Sequence, residues 1–412
     1  ESIIMGYEDN SLVSELVAQL IFGGIPANGK LPVSADANFQ SGDGFFFHSF
    51  RLNYSVPEDV GIPSKALEAV DSIVAQAIAK KATPGCQVLL AMNGTVFHHQ
   101  SYGYHTYMKK RKVKNDDIYD LASITKIGAS LPSLMKLYEK ELVYPNDKLS
   151  VHLPYLDSTN KKDIIIKDIL AHQARLKPWI PFYFSLFEPL DKEEDLFSPD
   201  LSPDYPFQIS GYSYMNKNYT FKPGYVKFHE TDSFSIECAR NIYFTNGIRD
   251  SIYTWINQSE MLEEKEYRYS DLGFYYFYDL IENKTPLRFE KYVDSLFYKP
   301  LGTTNMGFLP LTKFPDSRIV PSENDQIFRK QILQGYVHDP GAAMLGGVCG
   351  HAGLFSNAND LAKLMQMYLN KGMYGGQEYF KAETIDLFTS APFRDEDNRR
   401  GMGFDKPVED TT

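Results

Sequence analysis

The sequence contains few residues of the kinds that build a disulfide framework or a metal site. Among 412 residues there are only 3 cysteines, Cys86, Cys238 and Cys349, and they lie far apart in the chain. Cysteines spaced in this way form neither a metal-binding pair nor a disulfide set, so we expect each to be a small buried hydrophobic residue. The 9 histidines contain no His-x-x-x-His pair. We therefore predict no metal and no cofactor.

Positive charge is also scarce. Lysine and arginine total 42 against 53 acidic residues, which gives a net charge of −11. Nucleic-acid and anionic-membrane partners require clustered positive charge, so we expect no nucleic-acid partner. No apolar run approaches the roughly 18 residues of a membrane helix, and no membrane span is predicted. The hydrophobic fraction of 43% supports a sizeable core and excludes general disorder.

The first 44 residues form a segment distinct from the rest. Residues 3–7 are an apolar run that predicts a short strand, and Leu12 to Phe22 show apolar positions at helical spacing. Gly23 and Gly24 end that helix. A segment this small cannot bury its own helix face, so it needs a larger partner. We read residues 45–60 as a linker and residues 61–412 as a second domain.

The second domain begins with helix and hairpin signals. Ser64 is a candidate cap for a helix that extends to about Ala77. Residues 86–92 predict a strand, and Asn93-Gly94 is a strong hairpin signal before a return strand that begins at Thr95. Because many helical segments follow, the pattern indicates an α+β fold.

An insert at about residues 177–250 is rich in tyrosine, phenylalanine, proline and serine. No clear period runs through it. A connection of this length is either a functional lid or binding wall, or an aromatic-packed excursion with a structural role. Both interpretations remain open at this point.

Ser-x-x-Lys occurs three times, so its context must distinguish the copies. Ser123 follows a short apolar run and precedes a helix, with Lys126 one turn along the same face. That spacing places an amine beside a hydroxyl, where it assists removal of the hydroxyl proton. Ser133 falls in the middle of a helix, and Ser158 falls in a polar turn. Ser123 is the candidate nucleophile, although an ordinary helix-capping serine is the alternative.

A nucleophilic serine of this kind also needs a further base. Tyr269-Ser270-Asp271 lies in a loop just before a predicted helix, which would let the phenol point into a cleft. Lys126 could supply the positive charge that favours the phenolate. The alternative is that Tyr269 is one of 28 tyrosines with a packing role.

With these two motifs in this order, residues from about 52 to 410 resemble the serine β-lactamase and penicillin-binding-protein family, in its class C and esterase-like branch. The segments that carry the resemblance are Asp120–Lys126, Ile169–Gln173, Tyr269–Gly273, Gly341–Gly347 and Gly353–Leu361. The resemblance implies a β-lactamase/transpeptidase-like, two-lobed α+β domain. Such a domain has an antiparallel sheet flanked by helices and an all-helical lobe.

The resemblance also implies roles for single residues. Ser123 matches the acylated nucleophile, Lys126 its proton-relay partner and Tyr269 the general base. Asp271 takes the position of the usual substrate-binding asparagine, and this change leaves an acceptor-only anion in place of an amide. The backbone N–H of Ser123 would form half of an oxyanion hole.

A third family motif, Lys or His followed by Ser, Thr or Ala and then Gly, is harder to find. Gly350-His351-Ala352-Gly353 fits the letters but leads directly into a helix signal, so we expect His351 to be a structural turn residue. Gly401–Phe404 resembles the strand that precedes the motif. The resemblance then implies that the motif strand and a closing helix follow Thr412.

Residues 20–33 resemble the end of the α/β sandwich domain of family 3 glycoside hydrolases, so residues 1–44 are interpreted as a short α/β remnant of such a domain. The two resemblances together imply a bacterial β-N-acetylglucosaminidase-type fusion protein, with a glycosidase domain covalently linked upstream. No pair of carboxylates indicates a glycosidase site here.

We expect a serine hydrolase that transfers the acyl group of an ester, an amide or a cell-wall-type peptide. The alternative is a non-catalytic accessory module of the fusion protein. Cell-wall chemistry implies a periplasmic or extracellular location, although the residues themselves show no export signal.

Overall fold

The computed structural model describes residues 3–407. These residues form helices and mostly short strands, connected by turns and loops. The α-helices are α1 Ser11–Ile21, α2 Glu68–Ala79, α3 Leu131–Glu139, α4 Leu149–His152, α5 Ile166–Leu170, α6 Ile248–Gln258, α7 Leu272–Lys284, α8 Phe289–Val293, α9 Lys299–Leu301, α10 Pro340–Met344, α11 Ala358–Leu369 and α12 Ala382–Thr389. None of the helices within residues 3–407 is both long enough and apolar enough to cross a bilayer.

The strands are short, apart from one hairpin. They are β1 Asn53–Tyr54, β2 Gly85–Met92, β3 Thr95–Gly103, β4 Tyr119–Asp120, β5 Phe187–Pro189, β6 Phe197–Ser198, β7 Phe207–Ser210, β8 Ser213–Met215, β9 Tyr219–Phe221, β10 Val226–Lys227, β11 Ile236–Ala239, β12 Ile242–Phe244, β13 Glu323–Asn324, β14 Ile332–Leu333, β15 Phe355–Ser356, β16 Met373–Tyr374 and β17 Gln377–Glu378.

The chain divides into two compact units. The first contains the described residues up to Asp117, together with Phe297–Asn305 and Asn357–Ile385. The second contains Ile118–Leu296, Met306–Ser356 and the described residues from Asp386 onward.

The β2–β3 hairpin is the main sheet element of the first unit. The two strands pair antiparallel, and Asn93 and Gly94 both have positive φ, 52° and 80°, as a tight hairpin turn requires. The predicted hairpin is therefore confirmed. The sheet is not wholly antiparallel, because β1 adds to β3 in the parallel direction.

The amino-terminal segment differs in part from expectation. The predicted helix is confirmed as α1, and the Asn10 side chain caps it by accepting the Val13 N–H at 2.9 Å. The predicted strand at residues 3–7 is wrong, because these residues are irregular and mostly exposed and no strand pairs with them. No residue of α1 is buried, and Leu12 is 65% exposed.

The helix predicted after Ser64 is also present, but its start differs. A 3₁₀ turn, Ser64–Leu67, leads into α2. The Ser64 hydroxyl donates to Glu58 at 2.7 Å and does not cap the helix.

The second unit is built around α7. Nearly every residue of α7 from Leu272 to Ile281 is buried, so this part of the helix is surrounded by other residues of the protein on nearly all sides. At Gly273 a Cβ would overlap the Ile169 side chain of α5. The absence of a side chain therefore sets how closely α5 and α7 approach, and it fixes the position of the loop that precedes α7.

The insert is a set of short antiparallel strands, β5 to β12, packed through aromatic rings. Phe187 lies 4.9 Å from Tyr219 and 5.0 Å from Phe221 between ring centroids, and Phe244 lies 6.0 Å from Phe328. These rings are wholly or partly buried. The structural interpretation of the insert therefore holds for its interior.

Near the end of the described chain, Gly401–Phe404 is a turn closed by the Gly401 N–H on the Phe404 carbonyl at 3.0 Å. The predicted strand there is wrong. Within residues 3–407 no strand pairs with this segment, and its Gly403 N–H donates instead to the Leu170 carbonyl at the end of α5, at 2.9 Å.

Candidate active site

Ser123 lies in a turn that presents it to solvent. The chain passes from β4 into a 3₁₀ turn, Ala122–Ile124, then into a π-helical turn, Lys126–Ser130, and on into α3. Ala122 has a positive φ of 45°, which is a strained conformation for a residue with a side chain. Ser123 is exposed, and its N–H belongs to the first turn, where backbone donors lack intrahelical acceptors.

Asp120 holds this strained turn. Its Oδ1 accepts the Ala122 N–H at 2.8 Å, and its Oδ2 accepts the His338 N–H at 2.6 Å. Burial raises the pKa of the Asp120 carboxyl, although these two backbone hydrogen bonds oppose the rise. Strain at a functional turn persists where its surroundings impose it, and Asp120 is such a constraint.

Residues 350–356 run alongside the turn that carries Ser123 and the helix that follows it. The Leu121 N–H donates to the Leu354 carbonyl at 2.9 Å, and the Leu354 N–H donates to the Thr125 hydroxyl at 3.0 Å. β15 pairs antiparallel with β4. The Ser130 hydroxyl donates to the Gly350 carbonyl at 2.7 Å. The turn is thus held from one side along its whole length.

Lys126 is buried, with 4% of its surface exposed. Its Nζ donates to Ser123 Oγ at 3.0 Å and to the His351 carbonyl at 3.3 Å, and it lies 2.6 Å from Asp271 Oδ1. The first two contacts are hydrogen bonds. The third is an ion pair without hydrogen-bond geometry, and Asp271 Oδ1 is buried and has no hydrogen-bond partner among the described residues. The structure brings Ser123, Lys126 and Asp271 into direct contact.

Tyr269 lies beside this group on the loop before α7. The Lys126 ammonium is 5.1 Å from the centre of the Tyr269 ring, and Tyr269 is 36% exposed. Within residues 3–407, no hydrogen bond joins the Tyr269 hydroxyl to Ser123 or Lys126. The ring therefore lies next to the amine, and the residue is partly exposed to solvent.

His172 supports Tyr269 from behind. The two rings stack at 4.3 Å with an interplanar angle of 30°, and His172 Nδ1 accepts the Ser270 N–H at 3.2 Å. Burial, with the nearby charges of Arg400 and Lys126, lowers the pKa of His172 to about 3. The imidazole is therefore neutral at physiological pH, which suits both its acceptor role and its position near a lysine.

The start of the insert also contacts this loop. The Ser270 hydroxyl donates to the Lys177 carbonyl at 2.7 Å, and the Asp271 N–H donates to the Pro178 carbonyl at 2.9 Å. The insert thus combines an aromatic interior with a first segment that holds the Tyr269–Asp271 loop.

The other two Ser-x-x-Lys copies have no such surroundings. Ser133 is buried in α3, and its hydroxyl donates to the Ala129 carbonyl at 2.7 Å. Ser158 is exposed, while Lys161 is buried and donates to the Ser259 carbonyl at the end of α6. Among the three copies, only Ser123 faces solvent with its lysine beside it.

His351 is a buried structural residue, as expected, with 2% of its surface exposed. Its Nε2 lies 2.8 Å from Asp339 Oδ1, its Nδ1 lies 3.2 Å from Cys349 Sγ, and its ring stacks on Tyr275 at 4.4 Å. Burial alone would lower the pKa of His351, but the Asp339 carboxylate, with a further contribution from Cys349, outweighs burial and raises that pKa. What reaches the candidate site is the His351 carbonyl.

Sequence reasoning missed several of these contacts. His172 was part of a supporting segment without a role of its own, and Asp120, Thr125 and Asp339 had none. Asp339-Pro340 is a helix-start signal, and it could have located α10, whose cap is Asp339. In residues 3–407 the structure shows no group of three or more metal-binding side chains.

Comparison with known proteins identifies the family. The sequence model of the Beta-lactamase family matches residues 70–412. The chain belongs to this family. It is accordingly a serine hydrolase of the β-lactamase and penicillin-binding-protein type, and its fold is the one that family members share.

Two of the relatives by sequence are bacterial proteins of the same name. Over 379 residues the chain is 27% identical to the "Putative D-alanyl-D-alanine carboxypeptidase" of Escherichia coli (strain K12), which covers 86% of this chain and 75% of that protein. A protein of the same name from Salmonella gallinarum is 28% identical over 390 residues, 87% of this chain and 78% of the other.

Solved structures agree on the β-lactamase-type fold. The octameric penicillin-binding protein homologue from Pyrococcus abyssi aligns with a TM-score of 0.53 at 16% identity, over 79% of this chain and 60% of the other. The D-amino acid amidase from Ochrobactrum anthropi aligns with a TM-score of 0.51 at 13% identity, over 80% and 76%.

Proposed function

We propose that this chain hydrolyses its substrate by acyl transfer through Ser123. The observation that carries the proposal is the contact of one buried ammonium, Lys126, with Ser123 Oγ at 3.0 Å and with Asp271 Oδ1 at 2.6 Å. A lysine held in this way beside an exposed serine is suited to activating the hydroxyl and stabilising developing negative charge.

The proposed reaction has two halves. Ser123 Oγ attacks the carbonyl carbon while its proton passes to the phenolate oxygen of Tyr269. The same proton is then delivered through Lys126 to the leaving group as the carbonyl–leaving-group bond breaks, which restores the phenolate. A water molecule then attacks the acyl-enzyme, releases the acid and returns the proton to Ser123. The backbone N–H of Ser123 stabilises the oxyanion in both halves.

For the substrate we propose an ester, an amide or a peptide of cell-wall type. The names of the bacterial relatives favour a D-alanyl-D-alanine peptide, and a cell-wall substrate would place the enzyme in the periplasm or outside the cell. Asp271 is proposed to contact the substrate amide from its place beside Lys126.

For the domain organisation we propose three parts: residues 1–44 from a family 3 glycoside hydrolase-type domain linked upstream, a linker at 45–60, and the hydrolase domain from 61 to 412. None of the residues of α1 is buried, and this supports the proposal, since the apolar residues of the helix need a partner surface.

The test compares alanine variants of two serines, each of which is the first residue of a Ser-x-x-Lys sequence. S123A should lose about a thousandfold or more of the hydrolysis of a p-nitrophenyl ester, and of D-alanine release from a D-alanyl-D-alanine peptide if that peptide is a substrate. S158A removes the matched exposed serine and should retain both rates.

Full activity in S123A would overturn the proposal. A different result would favour the accessory-module alternative: the wild-type protein shows no hydrolytic activity, and both wild type and S123A bind cell-wall glycan.

A further inference from the structure

The ion pair between Asp339 and His351 lies directly behind Lys126, and the proposed reaction does not use it. His351 Nε2 is 2.8 Å from Asp339 Oδ1. His351 is buried, whereas 32% of the Asp339 side chain is exposed. Holding a buried charge is costly unless geometry and further hydrogen bonds compensate. Such compensation is present here, because Asp339 Oδ1 also accepts the Ala342 N–H at 2.7 Å.

The His351 side chain has no freedom to move. Asp339 and Cys349 occupy its two nitrogens, and Tyr275 of α7 stacks on its face at 4.4 Å. At the adjacent Gly350 a Cβ would overlap the Phe274 carbonyl of α7. With the ring fixed and the backbone pressed against α7, the direction of the His351 carbonyl is fixed as well.

That carbonyl accepts a hydrogen bond from Lys126 Nζ at 3.3 Å. The other two contacts of the ammonium, the hydrogen bond to Ser123 Oγ and the ion pair with Asp271 Oδ1, belong to the proposed chemistry. The His351 carbonyl is therefore the contact that orients the ammonium without taking part in the reaction. Moving it would turn an N–H donor away from its present direction and shift Lys126 relative to Ser123.

Asp339 is also connected to the turn that carries Ser123. The preceding residue, His338, donates its N–H to Asp120 Oδ2 at 2.6 Å, and Asp120 Oδ1 holds the Ala122 N–H next to Ser123. The segment 338–339 thus contacts the support of Ser123 on one side and the support of Lys126 on the other.

We propose that Asp339 is a positioning residue that fixes the distance between Ser123 and Lys126, through His351 on one side and the His338–Asp120 contact on the other. The proposal rests on Ser123 as the nucleophile. A displacement of about 1 Å between reacting groups costs up to about a hundredfold in rate, so a modest loosening of this support is measurable.

The experiment uses D339A, D339N and the control D325N in the full chain. D339N keeps an oxygen for His351 and Ala342 but removes the charge, and D339A removes both. Asp325 is a matched control because it pairs with the buried Arg329 at 2.8 Å and also accepts backbone N–H groups. We measure the rate constant for labelling of Ser123 by an aryl fluorophosphonate, kcat and KM for an activated ester, and the thermal midpoint.

We expect D339A to label about 10- to 100-fold more slowly than wild type, D339N to lose about threefold or more, and KM to change by less than about twofold in both. D325N should lower the thermal midpoint without slowing the labelling.

If Asp339 has only a structural role, D339N and D339A will have lower thermal midpoints but will be labelled at the wild-type rate. That result, obtained with folded variants, overturns the proposal. Equal slowing in D325N also overturns it. If D339A does not fold, D339N decides. A wild-type protein that is not labelled at Ser123 contradicts the proposed function instead, so the two failures are distinct.

Discussion

At the scale of single residues, Asp271 occupies the position where the family resemblance led us to expect a substrate-binding asparagine. Its carboxylate contacts Lys126 at 2.6 Å, and it can only accept hydrogen bonds, whereas an asparagine amide also donates. A substrate carbonyl therefore finds an N–H donor at this position only in the asparagine form.

We expect D271N to increase acylation by penicillin relative to acylation by a p-nitrophenyl ester, by about tenfold if one hydrogen bond is gained. Second-order rate constants for both reagents, measured on wild type and D271N, give this ratio. An unchanged ratio would show that Asp271 does not govern the choice between the two substrates.

The neutral, buried His172 makes the stability of the protein depend on pH. Its pKa is lowered to about 3 by burial and by Arg400 and Lys126, whereas an unfolded chain titrates histidine near 6.5. Between these values the unfolded state binds a proton that the folded state excludes, so stability falls as pH falls. This single group should reduce the free energy of unfolding by about 2 kcal/mol between pH 7 and pH 5.

H172F cannot bind that proton and should show a smaller loss of stability over the same pH range. Urea unfolding of wild type, H172F and the exposed-histidine control H229N measures the slope. The interpretation is wrong if H172F and wild type lose equal stability between pH 7 and pH 5.

At the scale of elements, the close packing of α5 on α7 positions the loop that carries Tyr269. A Cβ at Gly273 would overlap Ile169, and overpacking of this kind typically costs about 1–3 kcal/mol. G273A should therefore lower stability by about that amount and also slow the proposed acylation, because α7 begins directly after Asp271.

The double variant G273A/I169A provides the control. Removing the Ile169 branches relieves the overlap. The loss in free energy of unfolding of the double variant, measured by urea unfolding, should therefore be smaller than the sum of the two single losses. Strict additivity of the two free-energy changes would mean that the contact between these helices is not what Gly273 preserves.

Elements set by local sequence were predictable, and elements set by distant partners were not. The β2–β3 hairpin follows from Asn93-Gly94, and α1 follows from its spacing and from Asn10. The strand predicted at residues 3–7 is wrong because an apolar run becomes a strand only where another strand pairs with it.

The candidate site shows the same division. Ser123, Lys126 and Tyr269 were predicted from motifs and from a family resemblance, and their proposed roles remain to be tested. The stacking of His172 on Tyr269 and the pairing of Asp339 with His351 depend on contacts between separate elements. No local pattern specifies such contacts, so the structure was needed to find them.

At the scale of the whole molecule, the exposed α1 predicts that residues 1–44 contribute little to the hydrolase. A chain that lacks them should label at Ser123 with fluorophosphonate at a rate within about twofold of the full chain, since no residue of α1 is buried. A large loss of labelling, or of the thermal midpoint, would show that the segment is part of the hydrolase domain.

The central claim is that Ser123 is the acylated residue, and peptide mapping after fluorophosphonate labelling tests it most directly. On the full chain we predict one adduct per molecule, carried by the peptide that contains Ser123 and absent from S123A. An adduct on any other residue, or no adduct on a folded protein that hydrolyses esters, would contradict the account.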